Sequence, residues 1–197
     1  FRRHVPGHFP EKNSGEARVS FRQILSGSVN YKSLPKIDLH HHLDGSVRVA
    51  TIRDLALAGR HTLPTTNLRR LKSYCQVGRD CRSLTDFLKK FFFFYEFLKS
   101  PGAVERIAFE ACEDAAKDRV VYLETRFAPV LQATRSFSMR QVVEAALRGI
   151  DRGQKKFGVI ARIILCCYRS ASADSSVETV KLARRFQPRG VVGIDLR

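Results

Sequence analysis

The stretch Lys36-Ile37-Asp38-Leu39-His40-His41-His42-Leu43-Asp44-Gly45 decides how the rest of this 197-residue chain is read. Its apolar residues Ile37, Leu39 and Leu43 alternate with Asp38, His40, His42 and Asp44, the period of two that marks a β-strand. Successive strand side chains point to opposite faces, so His40 and His42 project together while His41 points the other way. Two imidazoles on one face, with a carboxylate two residues further on, make half of a metal site. A histidine run is also what an expression tag looks like, but this one is internal and embedded in a strand pattern.

Downstream, strand-like and helix-like periodicities alternate. A strand over 36–40 is followed by a helix over 47–58, with Val49, Ile52, Leu55 and Ala56 on one side and Gly59 as its C-terminal cap. After Pro64 comes a short helix near 68–74, then a longer one over 84–98 with Leu84, Phe87, Leu88, Phe91, Tyr95 and Leu98 at helical spacing. Ser100-Pro101 opens the next helix, whose buried side is Val104, Ile107, Ala108, Ala111, Cys112 and Ala115. Second, third and fourth strands are expected over 120–126, 159–165 and 191–196. Between them lie helices from Ser138, which stands at capping-box spacing from Gln141, to about Arg152, and over 175–186. Strands alternating with helices predict an α/β fold with a parallel sheet. Four such units make half of a (β/α)8 TIM barrel, which usually needs ~250 residues; an open α/β sheet is the alternative.

Residues 1–33 mix Pro, Gly, Ser, Arg and Lys without sustained periodicity and read as a disordered or loosely attached basic extension. Composition is that of a globular protein, 44% apolar and 27% charged. The first thirty residues lack the apolar stretch of a signal peptide and no apolar run is long enough to cross a bilayer, so neither secretion nor a membrane partner is expected. Five cysteines, an odd number set within helix and strand patterns, read as reduced thiols of a cytoplasmic protein. A net charge of +16 raises nucleic acid as a partner. The cations are scattered (Arg69, Arg70 and Lys72; Lys155 and Lys156; Arg184 and Arg185) and no nucleic-acid module accompanies them. A solvated basic surface is the simpler account.

Five ordered blocks carry a resemblance: 39–46 around the histidines, Gly78 to Phe91, Val120-Val121-Tyr122-Leu123-Glu124-Thr125-Arg126-Phe127-Ala128-Pro129, Ala161 to Cys167, and Val191-Val192-Gly193-Ile194-Asp195-Leu196. Together they span roughly 34–196, and the chain resembles the bacterial-type adenosine deaminases of the metal-dependent amidohydrolase superfamily. That resemblance implies a hydrolase acting on a cyclic amidine C–N bond, converting adenosine or deoxyadenosine to inosine or deoxyinosine plus ammonia, with one Zn2+ per complete active site. It implies that His40 and His42 are zinc ligands, that His42 also lies beside the substrate, and that Asp44 contacts the nucleoside sugar. Leu84, Phe87, Leu88 and Phe91 match a helix that walls the purine pocket, although helix packing explains each of them singly. Arg126 and Glu124 fit an internal salt bridge as well as a substrate contact.

The family's acid, base, third histidine and metal-binding aspartate come from later strands, and its fourth strand runs on into Ala-Gly-Asp-Glu-like residues where this sequence reads Arg197. The expectation is therefore an amino-terminal half, residues 34–197, with no catalytic acid or base of its own, no activity as an isolated polypeptide, and a tendency of the open half-barrel to self-associate. An adenine or AMP deaminase, or another amidohydrolase sharing only His-X-His, is the alternative enzyme reading. A non-catalytic remnant or a basic nucleic-acid-binding protein is the non-enzymatic one. The cytidine-deaminase class is disfavoured, because neither HxE nor PCxxC is present.

Overall fold

A computed structural model of the chain describes residues 30–78 and 81–197. The sheet is parallel, with strands β1 (Lys36–His42), β2 (Val120–Phe127), β3 (Ile160–Cys167) and β4 (Val191–Leu196) in the spatial order of the sequence. Six α-helices accompany it among the described residues: α1 (Val49–Ala58), α2 (Leu68–Cys75), α3 (Leu84–Tyr95), α4 (Pro101–Lys117), α5 (Met139–Phe157) and α6 (Ala173–Phe186). This is the α/β alternation expected of part of a TIM barrel. The chain divides into units 1–34 and 35–197. Of the first, residues 1–29 lie outside the described residues, and with them most of the expected extension; Tyr31–Ser33 form a single 3-10 turn capped by Asn30. No helix among the described residues is long and apolar enough to cross a membrane.

Local signals account for most element ends. The Ser100 side chain caps α4 by accepting from the Ala103 amide, with Pro101 in the first turn where no amide is needed. Ser138 and Gln141 form the reciprocal capping box at the start of α5. That helix continues to Phe157, beyond the expected end near Arg152, because Gly158 at φ 75° supplies its left-handed cap. The end of α1 falls at the expected glycine. Gly59 occupies the cap position but at φ −81°, and the left-handed residue is Arg60. A Cβ on Gly59 would stand 2.6 Å from the His61 ring, so that exposed side chain would have to move aside to admit a larger residue.

One face of the sheet is sealed by α4, α5 and α6. Leu123, Phe127, Ala161, Ile163 and Leu165 are buried with Val104, Ile107, Ala108, Val142, Val143 and Ala146 in one cluster. The opposite face, the inside of the curved sheet, is polar, with Tyr122, Glu124 and Arg126 on β2 beside Arg162 and Ile164 on β3. Both outer strands lack a neighbour among the described residues. Consequently Ile37 and Leu39 on β1 are 65% and 55% exposed, and Ile194 and Leu196 on β4 are each 54% exposed. Exposed strand edges of this kind invite further pairing.

The helices α4 and α5 are also tied by ions: Glu105 accepts from Arg148 at 3.0 Å and from Arg152 at 2.6 Å. Hydrogen bonds from Arg148 and then Arg152 hold the Glu105 pKa below its ordinary value. A carboxylate depressed in the folded state contributes stability above its unfolded pKa of about 4.3 and loses that contribution as pH falls through the folded value. Urea titrations from pH 6 to pH 2.5 are therefore expected to show Glu105→Gln less stable than wild type at pH 6, with the gap closing below pH 4.

Candidate active site

The carboxyl end of β1 is where the sequence-derived site residues gather. The rings of His40 and His42 stand 5.2 Å apart, centroid to centroid. His42 pairs in register with Arg126 of β2 on the polar inner face, whereas His41 pairs with Thr125 and its Nδ1 lies 2.9 Å from the Thr125 hydroxyl. The strand is irregular between Asp38 and His41, where the Asp38 carboxylate accepts from the His40 amide at 3.0 Å. Burial lowers the His42 pKa, with the Arg197 guanidinium the next cause. The neutral imidazole, the form that binds metals, is thereby favoured.

Asp44 lies just past the strand and is fully buried. Its Oδ2 accepts from the Tyr95 hydroxyl at 2.8 Å and from the Arg197 guanidinium, while Oδ1 has no protein partner among the described residues. Burial, and then the Asp44 charge, push the Tyr95 phenol strongly upward, so it remains a donor at any ordinary pH. The Arg197 guanidinium carbon also sits 5.6 Å from the centre of the Phe91 ring. Phe91 in turn closes on the turn after β1, since a Cβ on Gly45 would stand 3.6 Å from its Cε1.

Helix α3 forms one wall of a cavity of about 390 Å³, with Leu84, Leu88, Phe91, Phe92 and Tyr95 on one side and Tyr168 and Arg197 on the other. Three of the four expected purine-wall residues thus line it. Phe87 does not, and its ring packs against Phe91 instead, with centroids 5.1 Å apart and planes tilted by 57°. Sequence reasoning assigned no site role to Tyr95, Phe92 or Arg197. Tyr95 carried a usable signal, a hydroxyl on the apolar stripe of α3; Arg197 carried none. Arg126 makes the internal ion pair, with Asp195 of β4, and also donates to the Leu39 carbonyl at 3.4 Å. Glu124 instead accepts from the Tyr122 hydroxyl at 2.8 Å.

Two imidazoles at this separation suit a shared ion, but they fill only part of a shell. Among the described residues no group of three or more His, Cys, Asp or Glu side chains is placed to hold a metal. Burial pushes the Cys166 thiol up to about 11 and the Cys112 thiol up to about 12, which disfavours the thiolate that a metal would need at those two positions.

The adenosine deaminase family model matches residues 35–197. The chain belongs to the adenosine deaminase family. An adenosine deaminase of Clostridium botulinum is 41% identical over 168 residues, covering 85% of this chain and 50% of that protein. An N6-mAMP deaminase of Arabidopsis superposes with a TM-score of 0.72 at 33% identity, over 85% of this chain and 51% of the other. An amidohydrolase of Burkholderia ambifaria solved with bound Zn gives a TM-score of 0.73 at 25% identity, over 85% and 45% respectively. The chain thus spans about half the length of the relatives it matches. Its parallel four-stranded sheet and flanking helices are consistent with part of a deaminase TIM barrel, and the amidohydrolase superfamily is metal-dependent.

Proposed function

We propose that this chain supplies the metal-holding and sugar-holding part of a zinc-dependent adenosine deaminase, which hydrolyses adenosine and deoxyadenosine to inosine or deoxyinosine and ammonia in the cytoplasm. The observation that carries the reading is the meeting of the His40 and His42 rings at the carboxyl end of β1, beside a buried carboxylate with a spare acceptor oxygen. Zinc, when bound, supplies Lewis-acid activation of water near neutral pH. His40 and His42 would hold it through neutral ring nitrogens. Asp44 would accept a hydroxyl of the nucleoside sugar through Oδ1, with Tyr95 fixing the orientation of its other oxygen. Leu84, Leu88 and Phe91, backed by Phe87, would cover the purine and keep bulk water off it. In the structure described here the Arg197 side chain covers Asp44, so sugar binding requires that guanidinium to turn aside.

The proton donor and the base of the reaction are assigned to strands beyond these residues. The isolated 197-residue polypeptide is accordingly expected to show no adenosine-to-inosine turnover, followed as the loss of adenosine absorbance, and to bind zinc weakly in equilibrium dialysis. The double variant His40→Ala/His42→Ala should abolish that zinc binding. Turnover by the purified chain would overturn the division of labour, and zinc uptake indifferent to the double variant would overturn the ligand assignment.

A second reading, a deaminase of adenosine monophosphate or its N6-methyl form, is favoured by the likeness to the Arabidopsis N6-mAMP deaminase. Greater protection from thermal unfolding by the monophosphate than by adenosine would select it.

A further inference from the structure

Helix α3 has a second concave face, remote in character from the first. On the side toward α2 it borders a cavity of about 460 Å³ lined by Tyr74, Val77, Asp86, Lys89, Lys90 and Phe93. A smaller one of about 290 Å³, lined by Arg69, Lys72, Ser73, Gln76 and again Lys90, adjoins it. We infer that this cleft binds a nucleoside polyphosphate, with the ring against Tyr74 and Phe93 and the phosphates among Arg69, Lys72 and Lys90.

Charge is the first support. Among the described residues Asp86 is the carboxylate lining the larger cavity, and it is engaged by Lys89 at 2.9 Å and by the Ser83 hydroxyl at 2.8 Å. Arg69, Lys72 and Lys90 are in no ion pair among the described residues; Lys90 donates to the Ser73 carbonyl at 2.5 Å, which draws its ammonium to the junction of the two cavities. Three like charges around one concavity repel one another, and a multivalent anion relieves that repulsion while gaining charge-assisted hydrogen bonds. Shape and chemistry are the second support. The Tyr74 and Phe93 rings stand 5.7 Å apart at 35°, and Tyr74 is exposed. Such a ring is a stacking surface for a planar base. The aromatic pair belongs to the larger cavity and the α2 cations to the smaller, the separation a base and its phosphates require. A basic surface that is merely solvated needs neither the concavity nor the rings.

The test titrates the full chain with CTP and with inorganic triphosphate by calorimetry in low salt. A pyrimidine is chosen so that the proposed purine cavity across α3 does not contribute. CTP is expected to bind more tightly than triphosphate. Lys72→Ala/Lys90→Ala should weaken CTP by about tenfold or more, since hydrogen bonds to charged groups are lost. Tyr74→Ala should weaken CTP and leave triphosphate unchanged. Lys72→Arg should retain binding, and circular dichroism should show the helices of every variant intact. Equal binding of CTP and triphosphate with no response to Tyr74→Ala would reduce the cleft to a diffuse basic surface and overturn the inference. So would the absence of heat at millimolar CTP, or capture of single-stranded oligouridylate that CTP does not displace. None of these outcomes bears on the His40–His42 reading.

Discussion

Asp44→Ala is expected to destabilise the fold by about 3–5 kcal/mol, the usual cost of removing one partner from a buried ion pair. Asp44 is fully buried, and two donors converge on its Oδ2. Removing the carboxylate leaves the Tyr95 hydroxyl and a largely buried Arg197 guanidinium without their acceptor. Tyr95→Phe deletes one hydrogen bond to that carboxylate and should cost less, about 1.5–3 kcal/mol. Urea unfolding of the single variants and of Asp44→Ala/Arg197→Ala gives the coupling directly: the double variant should lose less than the sum of the singles. A loss below 1 kcal/mol for Asp44→Ala would show that the carboxylate is not enclosed as described. Because the same residue is proposed to hold the nucleoside sugar, stability and ligand protection should be measured on the same samples.

Gly149→Ala should also be damaging, although alanine is the better helix former by about 1 kcal/mol. A Cβ at Gly149 would stand 2.2 Å from the Glu105 carbonyl oxygen and 2.7 Å from the Ala108 Cβ. Both obstacles belong to the rigid body of α4, so neither can rotate away. Overpacking of this kind costs about 3 kcal/mol, for a net loss of about 2 kcal/mol once the propensity gain is deducted. Gly153 repeats the arrangement one turn on, 2.5 Å from the Cys112 Cβ. Gly102→Ala is the control: it stands in the first turn of α4 with nothing within 4 Å of the added carbon, and should be neutral or stabilising by up to about 1 kcal/mol. Thermal melts ranking Gly149→Ala level with Gly102→Ala would refute the close approach of α4 and α5.

Much of this was legible in the chain because the relevant signals are local. The buried stripe from Val104 to Ala115 is as its periodicity implies, and Ser100, Pro101, Ser138 and Gln141 cap helices where their spacing places them. His40 and His42 lie on one strand, so two-residue alternation suffices to bring them together. Phe87 shows the limit of such reasoning: helical spacing put it on the apolar side of α3 and the family resemblance put it on the cavity wall with Phe91, but its ring packs against Phe91 and leaves the wall to Phe92 and Tyr95. Spacing fixes the side of a helix to within a sector. Which ring of a run of aromatics fills a cavity depends on what stands opposite.

The amino-acid sequence by itself determined the strand–helix alternation, most of the caps and the His-X-His pair, all of which depend on residues within a few turns or pleats of one another, and it showed the family through five ordered blocks. Tertiary structure alone decided the fate of Asp44. Its two donors lie 51 and 153 positions away, and no periodicity links residues at such separations. The Arg126–Asp195 ion pair, 69 positions apart, belongs to the same class. These contacts exist because parallel strands bring their carboxyl ends to one rim, where polar side chains withdrawn from water must find partners among whatever the fold has placed beside them.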